Sequence, residues 1–233
     1  MLDLPTLPIR RVEPAGEPAF DVALIEAPSP SRAVLFAAGR GGSPERHAAL
    51  LEALAARGAT VIAPHAEFFA NPRPTLEQLA ERARRLRRAA EAFAPRGCAI
   101  HGVGHSIGAT LLLTLAGARA WLGPSAALEI GALPLESVTL LAPPLGFFRA
   151  PDAMASVDTR VTLWWGTADA LCPRSDVDAV LEALGPKGRF RVAEGAGHFS
   201  FMDVPPPDTA EPLADRGRFL RSMSAQIADD LEG

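Results

Sequence analysis

The chain has 233 residues, of which 48% are apolar and 21% are charged, enough for one globular domain spanning residues 1–233. Its 27 acidic residues outnumber its 23 lysines and arginines, so the charge of −4 gives no reason to expect nucleic acid or an anionic membrane as a partner. The chain contains no tyrosine, and Lys187 is its one lysine, which excludes tyrosine–lysine reductase chemistry.

Short apolar runs of β-compatible composition alternate with stretches of helical spacing. This alternation predicts an α/β fold with a mostly parallel, doubly wound central sheet and helices on both faces. The predicted strands cover residues 20–25, 33–38, 60–63, 98–103, 138–142, 161–165 and 189–193.

Helix start signals lie between the predicted strands. Ser43 followed by Pro44 predicts the start of a helix that Gly58 ends. Thr75 and Gln78 form a capping-box pattern at the start of a second helix. Three further helices are predicted: one from the turn at residue 106, one over residues 175–184, and one near the C-terminus that turns Phe219, Leu220, Met223 and Ile227 inward.

The second predicted helix carries a run of arginines between Arg82 and Arg88. A basic patch for nucleic acid is one interpretation of this run. We favour a solvated helix face, because three glutamates lie within one or two turns and can pair with the arginines: Glu77, Glu81 and Glu91.

The sequence shows no sign of export or of a membrane span. In the first eleven residues the arginines follow the apolar residues, the reverse of a secretory signal, and no apolar run reaches 18 residues. We therefore expect a cytoplasmic protein with no membrane partner. Cys98 and Cys172 are too few and too distant for a metal cluster, so we predict buried thiols and no metal.

A G-x-S-x-G pattern lies where a predicted strand passes into a helix, with Gly104 and Gly108 on either side of Ser106. A tight strand-to-helix turn lifts the serine hydroxyl above the sheet, and the neighbouring chain leaves room only for very small residues two positions away. The helix that follows directs its free N–H groups at the place where an oxyanion would form. The pattern therefore predicts that Ser106 is a nucleophile.

The same segment also resembles a loose dinucleotide-binding fingerprint through Gly102, Gly104 and Gly108. That function needs an acidic residue about 20 positions further on, at the end of the next strand. The first acid after the pattern, Glu129, precedes the next predicted strand. We therefore expect no nucleotide cofactor.

A serine nucleophile needs a base, and in the G-x-S-x-G architecture the base follows the serine in the chain. His198 is the only histidine that does so. Packing is the expected role of three others: His47, His101 and His105. His65 follows a strand end, where α/β sheets bind ligands, so it is a candidate substrate contact.

The orienting acid is expected at Asp169, which a turn presents after an apolar strand. Asp176 and Asp178 are the alternatives, although they lie inside the following predicted helix. The oxyanion hole is predicted to use the backbone N–H groups of Ile107, directly after the serine, and of Arg40, in the glycine-rich loop after the second predicted strand.

With G-H-S-I-G, G-T-A-D-A-L-C-P and G-A-G-H-F in that order, the chain resembles the α/β-hydrolase superfamily over nearly its whole length. The resemblance implies that Ser106, Asp169 and His198 form a catalytic triad. Segment 143–160 is too short for a large cap domain. The small, capless chain looks most like the dienelactone hydrolase-like group, whose members with that activity use cysteine as nucleophile. The serine here favours a serine esterase.

The predicted function is therefore that of a cofactor-independent serine hydrolase acting on a small-molecule ester or similar acyl substrate. A thioesterase, a peptidase and a non-catalytic binding protein on the same fold remain the alternatives. His65, Phe147 and Phe199 are the predicted substrate contacts, within a larger set of aromatic residues at strand ends that also includes Phe68, Phe69, Phe148 and Phe201. The sequence is compatible with a monomer or a small homo-oligomer.

Overall fold

The computed structural model describes residues 4–123 and 126–232. Eight strands form one sheet: β1 Ile9–Val12, β2 Phe20–Ile25, β3 Arg32–Ala37, β4 Ala59–Pro64, β5 Ala99–His105, β6 Ser137–Leu141, β7 Arg160–Gly166 and β8 Gly188–Ala193. Five α-helices accompany it: α1 Ala48–Ala56, α2 Leu76–Phe93, α3 Ile107–Leu115, α4 Arg174–Leu184 and α5 Arg216–Asp230.

The strands lie in the order β1-β2-β4-β3-β5-β6-β7-β8. The pairs β1·β2 and β2·β4 are antiparallel, and every other neighbouring pair is parallel. The carboxyl ends of the parallel strands therefore meet at one edge of the sheet, where open α/β sheets bind ligands.

Each face of the sheet has its own apolar core. On one face, α2, α3 and α4 bury residues that include Leu79, Leu112 and Val180. On the other face, α1 and α5 bury residues that include Leu51 and Ile227. The predicted mostly parallel sheet with helices on both faces is confirmed.

Strand β1 was not predicted from the sequence. Its four residues include Arg10 and Arg11, are largely exposed and form an edge of the sheet. An edge strand of this kind carries no apolar run, so composition gives no signal for it.

The start of α1 differs from the prediction. Ser43 and Pro44 lead into a single 3₁₀ turn, and the Ser43 hydroxyl donates to the Glu45 carboxylate instead of capping a helix. The helix itself begins at Ala48, and the carboxylate of Asp203 accepts the N–H of Ala49 at 2.8 Å. The capping box of Thr75 and Gln78 at the start of α2 is confirmed.

The connection from β6 to β7 contains one short 3₁₀ turn, Leu145–Phe148, and leaves no room for a large cap. Among the helices of the described residues, none has the length and apolar character needed to cross a membrane.

Candidate active site

The turn between β5 and α3 holds Ser106 in the left-handed region of backbone space, with φ 54° and ψ −130°. A residue other than glycine rarely adopts such a conformation, so the surrounding structure must enforce it. Part of that constraint is the Ser106 N–H, which donates to the carbonyl of Leu141 at the end of β6 at 2.9 Å. The half-buried serine thus lies at the carboxyl edge of the sheet.

The two glycines of the G-x-S-x-G pattern are required by close packing around this turn. A Cβ at Gly104 would lie 2.8 Å from Cδ1 of Leu112 and 2.9 Å from the backbone nitrogen of Ala109. A Cβ at Gly108 would overlap the carbonyl oxygens of Ala37 and Ala38. The pattern therefore reflects how tightly α3 packs on β3 and β5.

Three side chains from separate loops form a continuous hydrogen-bonded chain. Nε2 of His198 lies 2.9 Å from Oγ of Ser106, and Nδ1 of His198 lies 3.0 Å from Oδ2 of Asp169. Asp169 follows β7 and His198 follows β8. The Asp169 side chain is fully buried and that of His198 is 7% exposed. The structure thus brings together the three residues predicted to be nucleophile, acid and base.

The environment of Asp169 keeps its carboxylate ionised. Burial would raise the pKa, but the hydrogen bond and charge of His198 and the N–H of Leu171 outweigh burial and lower it. Because an ionised carboxylate only accepts hydrogen bonds, Nδ1 of His198 is the donor in this pair. Nε2 is then left to accept the proton of Ser106.

The two alternative acids form ion pairs with arginines. Asp176 is buried and binds Arg149 through two bonds, from Nε at 2.7 Å and from Nη2 at 2.9 Å. Asp178 lies on the exposed side of α4 and pairs with Arg174. Of the three aspartates, Asp169 is the one within hydrogen-bond distance of His198.

The rings of two further histidines lie behind the base, each tilted to its neighbour. The ring centroids of His198 and His105 are 5.2 Å apart, and those of His105 and His47 are 5.1 Å apart. Burial lowers the pKa of His47 to about 3 and holds that of His105 well below its ordinary value, so both are neutral. His101 is also buried and bonds to Oγ of Ser137 at 2.8 Å, on the strands away from the serine.

His65 forms an ion pair with Glu45, whose Oε1 lies 2.6 Å from its Nε2. Burial opposes the charge on each partner. The hydrogen bonds that Glu45 receives from His65 and Ser43 nevertheless lower its pKa to about 2, and the bond to Glu45 raises the pKa of His65. Nε2 of His65 is thus engaged within the protein, and its role as a substrate contact stays a prediction.

The loop after β3 lies directly over the nucleophile. A Cβ at Gly39 would be 3.3 Å from Cβ of Ser106 and 3.1 Å from Nδ1 of His105. Ile107 is the first residue of α3, so its N–H has no partner inside the helix. The Arg40 guanidinium turns away to the carbonyls of Phe69 and Ala70, at 2.6 and 2.5 Å.

Arg82 corrects the interpretation of the arginine run as a solvated face. Its side chain is buried, with 5% of the residue exposed, and it donates to the carbonyls of Gly39, Arg40 and Glu67. Among the other arginines of the run, Arg84, Arg85 and Arg88 do pair with glutamates of the same helix, as expected. Sequence spacing alone gave no signal that separated Arg82 from them.

The aromatic residues at the strand ends divide into two groups. Phe199 is partly buried and meets the His198 ring edge-on at 5.1 Å, which places it beside the base. Phe147 is also partly buried and lines an open groove with Trp121 and Arg149, while Phe68 is 62% exposed. The other three are buried in the protein: Phe69, Phe148 and Phe201.

Within the described residues, one group has the side-chain types of a metal site: the ligand atoms of Asp169, Cys172 and His198 lie within 4.8 Å of one another. Two of the three are already bonded to each other. Burial and the nearby Asp169 carboxylate raise the pKa of the Cys172 thiol far above its ordinary value, which disfavours the thiolate that a metal requires. Cys98, predicted to be buried, is only half-buried.

No family model and no curated protein sequence matches the chain. Its structure is similar to that of an esterase from the planctomycete Thermogutta terrifontis solved with propionate bound, at 16% identity and a TM-score of 0.68 over 99% of this chain and 94% of that one. The same enzyme has been solved with butyrate bound and after phosphoramylation by tabun.

A second similar structure is the dienelactone hydrolase of Anabaena variabilis. The identity is 17% and the TM-score 0.67, over 95% of this chain and 96% of that one. At such identities the likeness concerns the fold.

Proposed function

Because this chain has the α/β-hydrolase fold, we propose that it is a serine hydrolase that cleaves small carboxylic esters through an acyl-enzyme. The observation that carries the proposal is the hydrogen-bonded chain from Ser106 through His198 to Asp169, with the serine on a strained turn. The similar esterase modified by tabun supports a nucleophile of this kind, since organophosphates react with activated serines.

In the proposed acylation step, Oγ of Ser106 attacks the carbonyl carbon while Nε2 of His198 takes the hydroxyl proton. The buried Asp169 carboxylate, already bonded to Nδ1, stabilises the imidazolium that forms. The negative oxygen of the tetrahedral intermediate is held by the N–H groups of Ile107 and Arg40. His198 then gives its proton to the departing alcohol, and the ester of Ser106 remains.

Deacylation repeats the same chemistry with water. His198 takes a proton from the water molecule as that water attacks the acyl-enzyme, and it returns this proton to Oγ of Ser106 when the acid leaves. These steps need no cofactor. Phe199, edge-on to the His198 ring, is the proposed apolar contact for the substrate.

The proposal is tested by assaying p-nitrophenyl acetate together with matched thioesters and amides, using wild type and Ser106→Ala. Ester hydrolysis by wild type is expected, with loss of about 10⁶ in kcat for the variant. A preference for thioesters or amides would show that the protein acts on another class of acyl substrate. Absence of hydrolysis across the panel would favour a binding protein.

A further inference from the structure

Arg82 lies beneath the loop that covers the nucleophile, and two of the three hydrogen bonds of its guanidinium go to that loop. Nη1 donates to the carbonyl of Gly39 and Nη2 to that of Arg40, both at 2.8 Å, and Nη2 also reaches the carbonyl of Glu67. The guanidinium carbon lies 3.5 Å from the centre of the Phe69 ring. One side chain of α2 thus bonds to two consecutive peptide groups of the loop after β3, whose carbonyls also accept the N–H groups of Gly42 and Phe69 at 3.0 and 3.2 Å.

The charge of Arg82 has no carboxylate partner within ion-pair distance among the residues described. Burial lowers its pKa to about 10, so the group stays protonated at neutral pH. A buried cation is costly unless its donors are satisfied. Here three backbone carbonyls accept from Nη1 and Nη2 and the Phe69 ring faces the guanidinium, while Nε has no hydrogen-bond partner among the residues described. An uncharged apolar residue could fill this space against Phe69, but it could not hold the two carbonyls.

The carbonyl of Gly39 accepts from Arg82 and also from the N–H of Gly42 at 3.0 Å, and together these bonds fix the direction of the next N–H group. The carbonyl of Gly39 and the N–H of Arg40 belong to one planar trans peptide, so they point in opposite directions. With the carbonyl directed at Arg82 in α2, the N–H of Arg40 is directed away from that helix. The same loop passes over the nucleophile, since a Cβ at Gly39 would lie 3.3 Å from Cβ of Ser106.

We propose that Arg82 is a positioning residue, which orients the Arg40 N–H as an oxyanion donor by holding the carbonyls of Gly39 and Arg40. This inference rests on the proposed hydrolase function. Arg82 is buried beneath the loop, so we expect its loss to affect the transition state, where charge develops on the oxyanion, more than substrate binding.

The test compares Arg82→Met and Arg82→Lys with Arg87→Met. Arg87 is a matched control because it lies on the same helix and also donates to two backbone carbonyls, those of Gly131 and Ala132 in a different loop. For each protein we would measure kcat and KM on p-nitrophenyl acetate, the inhibition constant of phenylboronic acid, and the melting temperature. The boronic acid forms a tetrahedral adduct with an active serine and so reports on the oxyanion hole.

We expect Arg82→Met to lower kcat by about 10- to 100-fold and to weaken the binding of phenylboronic acid by a similar factor. KM should stay within about threefold of the wild-type value. Arg82→Lys, which keeps a donor, should recover part of both losses, and Arg87→Met should change neither. If Arg82→Met does not fold, Arg82→Lys carries the test, with a lowered kcat at unchanged KM.

Folded Arg82 variants with wild-type kcat and wild-type affinity for the boronic acid would overturn the proposal. A lowered kcat with unchanged affinity for the boronic acid would also overturn it. Failure of the hydrolase function has a different signature, because wild type itself would then neither hydrolyse esters nor bind the boronic acid.

Discussion

Nε2 of His105 donates a hydrogen bond of 2.9 Å to the carbonyl oxygen of His198. His105 directly precedes Ser106 in the chain, so this bond ties the loop that carries the proposed base to the turn that carries the proposed nucleophile. Because a carbonyl only accepts, Nε2 must carry the proton of the neutral ring. Burial holds the pKa of His105 well below its ordinary value and so keeps the ring neutral, and the bond to the carbonyl selects the tautomer.

Replacing His105 by leucine is expected to lower both stability and activity. The carbonyl of His198 would be left buried and unpaired, at a cost of about 1–3 kcal/mol, and the base would lose an anchor. Urea denaturation and kcat on p-nitrophenyl acetate measure the two effects. His101→Leu is the control, since it breaks a buried bond to Ser137 away from the serine and should cost stability alone. Equal kcat for both variants would mean that the His105 bond has only a structural role.

Asp169→Asn is expected to lower kcat by about 10⁴. An amide in this position can stabilise the wrong tautomer of His198 and cannot balance the imidazolium charge. The control is Asp178→Asn, on the exposed side of α4, which should leave kcat within about twofold. An Asp169→Asn enzyme within a few-fold of wild type would show that another group orients the base.

The ion pair of His65 and Glu45 is expected to make stability depend on pH. The raised pKa of His65 gives stability that is present below its ordinary value of 6.5 and is lost as the pH rises through the raised value. The lowered pKa of Glu45 gives stability that is present above its ordinary value of 4.5 and is lost as the pH falls towards about 2. Both contributions are therefore complete between these ordinary values.

His65→Gln removes the pair and tests this dependence. The melting temperature of wild type should exceed that of the variant by more at about pH 5.5 than at about pH 8.5. A gap that is the same at both values, or wider at the higher one, would show that the histidine is not charged in the folded protein.

Short acyl chains are the expected substrates, because the β6–β7 connection is short and, among the residues described, Phe199 is the one phenylalanine whose ring lies against the base. Each added CH₂ gains up to about 0.8 kcal/mol only while it contacts protein. The value of kcat/KM on p-nitrophenyl esters should therefore peak at short acyl chains and fall for long ones. A kcat/KM that rises steadily to long chains would require a deep acyl tunnel.

The central sheet was predictable from sequence because its inner strands are buried on both faces and appear as continuous apolar runs. The loop residues Asp169 and His198 were predictable as partners because parallel strands deliver their following loops to one edge. The same logic fails for β1, whose exposed arginines carry no apolar signal.

Other features depend on tertiary contacts that spacing cannot express. Arg82 and Arg85 lie one turn apart on α2, yet Arg82 points under the loop after β3 while Arg85 pairs with Glu81. The engagement of His65 likewise depends on Glu45, which is 20 residues away in the chain. Such pairings follow from the assembled fold.

The central claim is that Ser106 is an activated nucleophile, and covalent labelling tests it most directly. Wild-type protein and Ser106→Ala would be treated with a fluorophosphonate probe, digested and mapped by mass spectrometry. The account predicts one adduct on Oγ of Ser106 in the wild type and none in the variant, whose melting temperature should match wild type. An adduct on another residue, or a wild type that hydrolyses esters without being labelled, would contradict it.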